Sequence, residues 1–84
     1  MMKSELSQLR NLGPKSAAWL ESVGIRSVEE IRRIGPVTAY QLVRLRYPQA
    51  SLNLLWALAA GLQDRDWREV TPEEKQSLRK RIES

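Results

Sequence analysis

The fold of this 84-residue chain follows from the stretch Leu9-Arg10-Asn11-Leu12-Gly13-Pro14-Lys15-Ser16-Ala17-Ala18-Trp19-Leu20. It recurs 22 residues later as Ile31-Arg32-Arg33-Ile34-Gly35-Pro36-Val37-Thr38-Ala39-Tyr40-Gln41-Leu42. Five of the twelve aligned pairs are identical: the arginines, the glycines, the prolines, the first alanines and the final leucines. Self-similarity at a fixed offset indicates a duplicated structural unit, so we expect the two copies to fold alike.

In each copy, an apolar residue is followed by glycine and then by proline. A glycine just past the end of a helix supplies the left-handed or otherwise unusual φ that is needed there. A proline suits the first position of the next helix, because its missing N–H has no partner at that position in any case. Each copy therefore predicts a helix, a tight turn and a second helix, which gives two helix-hairpin-helix-like units.

Capping signals predict where the other helices begin and end. Gly24 ends the helix that starts at Pro14, and Ile25 can fold back onto it. Ser27 and Glu30 form a capping box for a short helix that ends at Gly35, and Pro48 stops the helix that follows.

Two further helices complete the chain. Ser51 is predicted as the N-cap of the helix 52–62. This helix is apolar around most of its circumference and is therefore expected at the centre of the domain, or partly in a dimer face. Thr71 and Glu74 form a second capping box around Pro72. Because no stretch alternates with a period of two, we predict an all-α fold of five or six short helices. Residues 1–84 are expected to form a single domain with frayed ends at 1–5 and 82–84.

The composition argues against an enzyme. The chain has no Cys and no His, which excludes thiolate and imidazole chemistry and the usual zinc sites. The adjacent carboxylates Glu29/Glu30 and Glu73/Glu74 point about 100° apart on their helices and are explained by helix capping. We expect no catalytic residues, no metal site and no cofactor.

The longest apolar stretch, residues 52–62, is too short to cross a bilayer, and no apolar run follows Lys3 as in a secretory signal. A cytoplasmic protein without a membrane partner is expected. The net charge of +4, from 14 basic and 10 acidic residues, permits a polyanionic partner without requiring one.

The stretch 11–17 resembles the hairpin of helix-hairpin-helix DNA-binding motifs and a related stretch in the C-terminal domain of the RNA polymerase alpha subunit. A longer set of residues resembles the C-terminal domain of the TfoX/Sxy competence regulators over roughly residues 9–80. That set comprises 11–20, Val23-Gly24-Ile25, the Gly35 turn, Ser51-Leu52-Asn53-Leu54-Leu55, Ala57-Leu58 and Trp67. The resemblance implies an all-α fold of helix-hairpin-helix type and a link to natural transformation or transcriptional regulation.

The sequence departs from the DNA-binding hairpin pattern at three positions. The first glycine of the motif is replaced by Asn11 in copy one, where asparagine tolerates a positive φ, and by Arg33 in copy two, where arginine does so poorly. Copy two also has Val37 at the position of Lys15, which indicates a core or interface residue.

Hairpin one, residues 10–16, is the candidate phosphate site. Gly13 allows close approach of a backbone, and the N–H groups of Lys15 and Ser16 lie at the positive end of a helix dipole. Arg10 and Lys15 add charge, and Asn11 and Ser16 add polar groups. The structural alternative is that Gly-Pro is simply an efficient turn, but that alternative leaves Lys15 unexplained.

Arg32 and Arg33, beside the second turn, are secondary candidates for nucleic-acid contact. Two functions therefore stay open. The first is weak, non-specific DNA binding through phosphates; the second is binding to a transcription-regulatory protein without DNA contact. Basic residues around Lys15 would favour the first, and an exposed apolar patch including Val37 or Tyr40 would favour the second. The sequence indicates no oligomeric state.

Overall fold

A computed structural model describes Leu6 and residues 9–83, and no β-strand occurs in that part of the chain. Five α-helices follow one another: α1 (Pro14–Ser22), α2 (Val28–Ile34), α3 (Pro36–Arg46), α4 (Leu52–Leu62) and α5 (Pro72–Glu83). A short 3₁₀ helix, Trp67–Glu69, lies between α4 and α5. The predicted all-α class is confirmed. Of the predicted frayed ends, residues 1–5 and 84 lie outside the described residues.

Both predicted capping boxes begin helices. The backbone N–H of Glu30 donates to Ser27 Oγ over 3.1 Å at the start of α2. At the start of α5 the exchange is reciprocal, since Glu74 N donates to Thr71 Oγ1 and Thr71 N donates to Glu74 Oε1, each over 3.1 Å. These bonds satisfy amides that a helix N-terminus leaves without an acceptor.

The second copy of the repeat folds as predicted. Helix α2 ends at Gly35, whose φ of +88° lies in the left-handed region that favours glycine, and α3 begins at Pro36. Glycine reaches this conformation without the steric cost that a Cβ imposes. Copy two is therefore a helix, a one-residue turn and a helix.

The first copy solves the same turn differently. Residues 9–12 form a bend and turn instead of a helix, and the positive φ falls on Asn11 (77°). Gly13 is extended, with φ of −91° and ψ of 177°. The expectation that Gly13 supplies a left-handed conformation is therefore wrong, because Asn11 has already reversed the chain two residues earlier. Asparagine adopts this conformation more readily than most residues.

The core is organised around α4, as its apolar circumference predicts. Leu54–Leu58, Ala60 and Gly61 are all buried, and α4 packs against α3 and the 3₁₀ helix. Tyr40 of α3 is buried, and its hydroxyl donates to the carbonyl oxygen of Ala50 over 3.0 Å. This bond satisfies a buried phenol and fixes the connection between α3 and α4. No described helix is long and apolar enough to pass through a membrane.

Candidate nucleic-acid interface

Asn11 fastens hairpin one to the loop after α4. Its Nδ2 donates to the carbonyl oxygen of Arg65 over 2.8 Å, and its Oδ1 accepts from the backbone N–H of Trp67 over 3.2 Å. The guanidinium of Arg10 adds a bond from Nη1 to the carbonyl oxygen of Asp64 over 3.0 Å. The left-handed residue of hairpin one is therefore also its anchor, and we call these two Asn11 bonds the Asn11 clasp.

The segment that leads into hairpin one lies directly on α4 at Gly61. A Cβ at that position would lie 2.5 Å from the carbonyl oxygen of Arg10 and 3.1 Å from Leu9 Cγ. A real Cβ does not approach a backbone oxygen so closely. Glycine inside α4 is therefore required by packing, although it weakens a helix by about 1 kcal/mol relative to alanine.

With hairpin one held there, a surface depression of about 420 Å³ forms beside it. We call it the hairpin-one groove. One wall comes from hairpin one and α1, a second from the start of α4, and Trp67 closes the third side. Its lining residues are Asn11, Lys15, Ser16, Trp19, Gln49, Ser51, Asn53, Leu54, Ala57 and Trp67.

Two helix N-termini meet at the hairpin-one groove. The first intrahelical acceptor of α1 is Gly13 O, which binds Ala17 N, so the N–H groups of Lys15 and Ser16 have no acceptor within the helix. Gly13 has no side chain to cap them, and the Ser51 side chain makes no capping bond to α4. Both helix dipoles place partial positive charge at this depression, which suits an anion.

Lys15 adds a full positive charge to the partial charges of the two helix N-termini in the hairpin-one groove. Its side chain is exposed, and Nζ lies 5.2 Å from the centroid of the Trp19 ring. Trp19 in turn stacks on Tyr47, with ring centroids 5.1 Å apart. The Tyr47 hydroxyl is 2.8 Å from Ser22 Oγ. Lys15 forms no salt bridge with any residue that the structure describes, so its charge is available to a ligand.

The charged residues of the loop opposite are neutralised in pairs. Arg65 binds both carboxylate oxygens of Glu74 at 2.9 and 3.0 Å, and this lowers the pKa of Glu74 to about 2. Arg68 hydrogen-bonds Asp66, mainly through its side chain and also through its N–H, and lowers the pKa of Asp66 to about 2. Both arginines of the loop are therefore paired with carboxylates, and Trp67 is the loop residue that lines the groove.

The structure brings three of the predicted residues together and separates the others. Asn11, Lys15 and Ser16 line the hairpin-one groove, and Gly13 is exposed next to them. The Arg10 guanidinium is turned toward Asp64. Arg32 and Arg33 are exposed on the last turn of α2 and line no part of the groove.

Seven residues that line the groove were missing from the sequence-based prediction of the site: Trp19, Gln49, Ser51, Asn53, Leu54, Ala57 and Trp67. One signal for them was present, since Asn53 is a polar residue in the first turn of an otherwise apolar helix. Their convergence on hairpin one depends on contacts between residues far apart in the chain, which no local pattern encodes.

The apolar patch that would favour a protein partner does not form at the expected residues. Val37 and Tyr40 are only 5% and 1% exposed. The large apolar side chains that are exposed among the described residues are Leu42, Leu45 and Trp67, at 37%, 82% and 37%.

A sequence model described as the TfoX C-terminal domain matches residues 2–82, nearly the whole chain. No curated protein and no solved structure matches the chain at a significant level.

Proposed function

This chain belongs to the TfoX C-terminal domain family, and from that premise we propose that it is a non-enzymatic module that binds nucleic acid through phosphates at hairpin one. The observation that carries the proposal is the convergence of two uncapped helix N-termini and Lys15 on one groove. We further propose that this binding serves the regulation of transcription or of natural transformation, as the family resemblance implies.

The binding is weak and independent of sequence. The groove offers backbone amides and one lysine, which position a phosphate but do not read a base edge. We expect Kd for duplex DNA to be about 10⁻⁴ to 10⁻⁶ M at physiological salt, the usual range for non-specific binding. Because only one or two phosphates are neutralised, log Kobs should fall with log salt with a slope of about −1 to −2.

The three tryptophans allow the contact to be located. Trp19 and Trp67 line the hairpin-one groove, whereas Trp56 lines a different depression beside α5. Titration of the ¹⁵N-labelled protein with a duplex of mixed sequence should therefore shift the indole N–H signals of Trp19 and Trp67. The signal of Trp56 should not move.

Lys15→Ala tests the charge. It should weaken binding equally on unrelated duplexes and bring the salt slope about one unit closer to zero. Arg26→Ala is the matched control, because Arg26 is also an exposed cation and lines neither the hairpin-one groove nor the depression beside α5. Equal effects of the two substitutions, or the absence of salt-dependent binding at low ionic strength, would refute the phosphate site.

The second candidate function is a protein-interaction module of a transcription or competence regulator that does not touch DNA. Leu42 and Leu45 support it, because they lie three residues apart on the outer face of α3 and Leu45 is almost fully exposed. Under this alternative, Leu45→Ser abolishes capture of the regulator, and Lys15→Ala has no effect on any partner.

A further inference from the structure

A second concave surface lies between α3 and α5, on a different side of α4 from the hairpin-one groove. It consists of two depressions of about 490 and 520 Å³, and Arg79 lines both, so they adjoin. We call this surface the α3–α5 groove. Arg44, Leu52 and Ile82 contribute to the first depression, and Trp56, Lys75 and Gln76 contribute to the second.

Three cations line the α3–α5 groove without a carboxylate partner among the described residues. Arg44, Lys75 and Arg79 form no salt bridge with a described residue, and no described carboxylate lines either depression. Lys75 and Arg79 are four residues apart and therefore lie on the same flank of α5. Lys75 Nζ is held 5.7 Å from the centroid of the Trp56 ring.

This pattern contrasts with the arginines of the neighbouring loop. Arg65 and Arg68 each meet a carboxylate within 3.0 Å. Both arginines that hold the loop are therefore paired with carboxylates, whereas Arg44, Lys75 and Arg79 of the groove form no salt bridge with a described residue. Charges of one sign in a concave site attract an oppositely charged partner.

The floor of the α3–α5 groove is apolar. Leu52 and Ile82 are half-buried in the first depression, and the Trp56 ring and Pro72 line the second. An apolar floor with a polar rim is typical of protein-interaction sites. A phosphate backbone gains nothing from Leu52 or Ile82, whereas a peptide can place apolar side chains against them.

We propose that the α3–α5 groove docks an acidic, amphipathic segment of a partner protein. Its carboxylates pair with Arg44, Lys75 and Arg79, and the two arginines can each bind a carboxylate in the bidentate geometry. Its apolar side chains fill the two depressions. This surface is independent of the phosphate site, so the domain can hold a nucleic acid and an acidic partner at once.

The test uses the full 84-residue chain and a synthetic helical peptide of about 15 residues with Glu and Leu on one face. Binding should shift the indole N–H signal of Trp56 and leave those of Trp19 and Trp67 in place. Affinity should fall as salt is raised, because exposed charge pairs are screened. A peptide with Lys in place of Glu should not bind.

Arg79→Gln should weaken peptide binding by about threefold, because one exposed ion pair is lost, and Arg79→Glu by about tenfold, because the reversed charge also repels the peptide carboxylates. Arg26→Glu, with the same change in charge away from the groove, should leave the affinity within about twofold of the wild type. Circular dichroism should show that all three variants are folded.

Three results would overturn the proposal. The first is that the acidic peptide does not bind at low ionic strength. The second is that the peptide shifts the indole N–H signal of Trp19 or Trp67 instead of that of Trp56. The third is that duplex DNA shifts the indole N–H signal of Trp56 and binds less tightly to the Arg79→Glu variant. That result would make the α3–α5 groove a nucleic-acid surface. DNA binding at hairpin one is tested separately with Lys15→Ala, so a result that refutes one of the two sites does not refute the other.

Discussion

The side chain of Asn11 accepts a hydrogen bond from the backbone of Trp67, 56 positions further along the chain. The same residue reverses the chain with a positive φ and donates to the carbonyl oxygen of Arg65. One side chain thus sets the shape of hairpin one and attaches it to the rest of the domain.

Asn11→Ala should lower the free energy of unfolding by about 2–4 kcal/mol. It removes two hydrogen bonds, each contributing about 1 kcal/mol, and it removes the carboxamide that lets asparagine tolerate a positive φ, while the Cβ stays. Asn11→Gly relieves the backbone and should cost only about 1–2 kcal/mol. Urea denaturation of both variants measures the difference, and equal losses would show that φ is not part of the effect.

Gly61→Ala should destabilise the protein by about 1–2 kcal/mol, although alanine is the better helix former. The new Cβ would meet the carbonyl oxygen of Arg10, which is backbone and cannot move aside cheaply. Ala59→Gly in the same helix is the control, because it reports the intrinsic preference alone. A stabilised Gly61→Ala protein would contradict the close approach of residues 9 and 10 to α4.

Gly13 should separate stability from binding. Its extended backbone and the open space around its Cβ position accept a side chain without strain. Gly13→Asp should stabilise α1 by about 0.5–1 kcal/mol as an N-cap near the positive end of the dipole. It should also weaken DNA binding about tenfold, because the carboxylate repels the phosphate.

Gly13→Ser is the matched control for that substitution. It caps the same amides without charge, so it should stabilise the helix by a few tenths of a kcal/mol and weaken DNA binding less than the aspartate does. If the aspartate variant binds DNA as tightly as the serine variant, the phosphate does not lie at this helix terminus.

The stability of the protein should fall in acid through Glu74 and Asp66. Their ordinary pKa values of 4.5 and 3.8 are lowered to about 2 in the folded protein. The folded state therefore binds fewer protons than the unfolded state, and this stabilisation is present above pH 4.5 and lost toward pH 2. Chemical denaturation along that range should show the decline.

Glu74→Gln removes one of the two titrations, so its stability should change less between pH 4.5 and pH 2 than that of the wild type. Glu73→Gln serves as control, because Glu73 forms no salt bridge with a described residue. If both variants lose the same free energy of unfolding between pH 4.5 and pH 2, the Arg65–Glu74 pair does not contribute to the loss of stability in acid.

Local patterns in the sequence predict most of the fold. Ser27 with Glu30, Thr71 with Glu74, and the prolines that open α1 and α3 all mark helix starts that the structure confirms. They succeed because a cap and its helix lie within one turn of each other. The apolar run 52–62 likewise predicts both the bounds and the central place of α4.

The same patterns predict the wrong turn conformation where contacts with a distant segment determine how the chain turns. The matching Gly-Pro pairs predict identical hairpins, yet only Gly35 is left-handed, because in copy one Asn11 gains partners at Arg65 and Trp67 by turning first. Nothing near residue 11 reveals those partners. The groove walls from Gln49, Asn53 and Trp67 are hidden for the same reason.

We expect the two hydrogen bonds of the Asn11 clasp to open before the central helices do. Its bonds join residues that are 54 and 56 positions apart in an 84-residue chain. Closing so long a loop costs conformational entropy, so these bonds are favourable only when α2–α4 are already folded. The clasp can therefore release while the central helices stay folded, as a local opening below the global free energy of unfolding. The Trp67 amide, which the clasp shields, then exchanges its hydrogen with solvent faster than the amides inside α3 and α4. A ligand that bridges both sides of the hairpin-one groove slows that exchange. The exchange rate of the Trp67 amide therefore reports whether the groove is occupied.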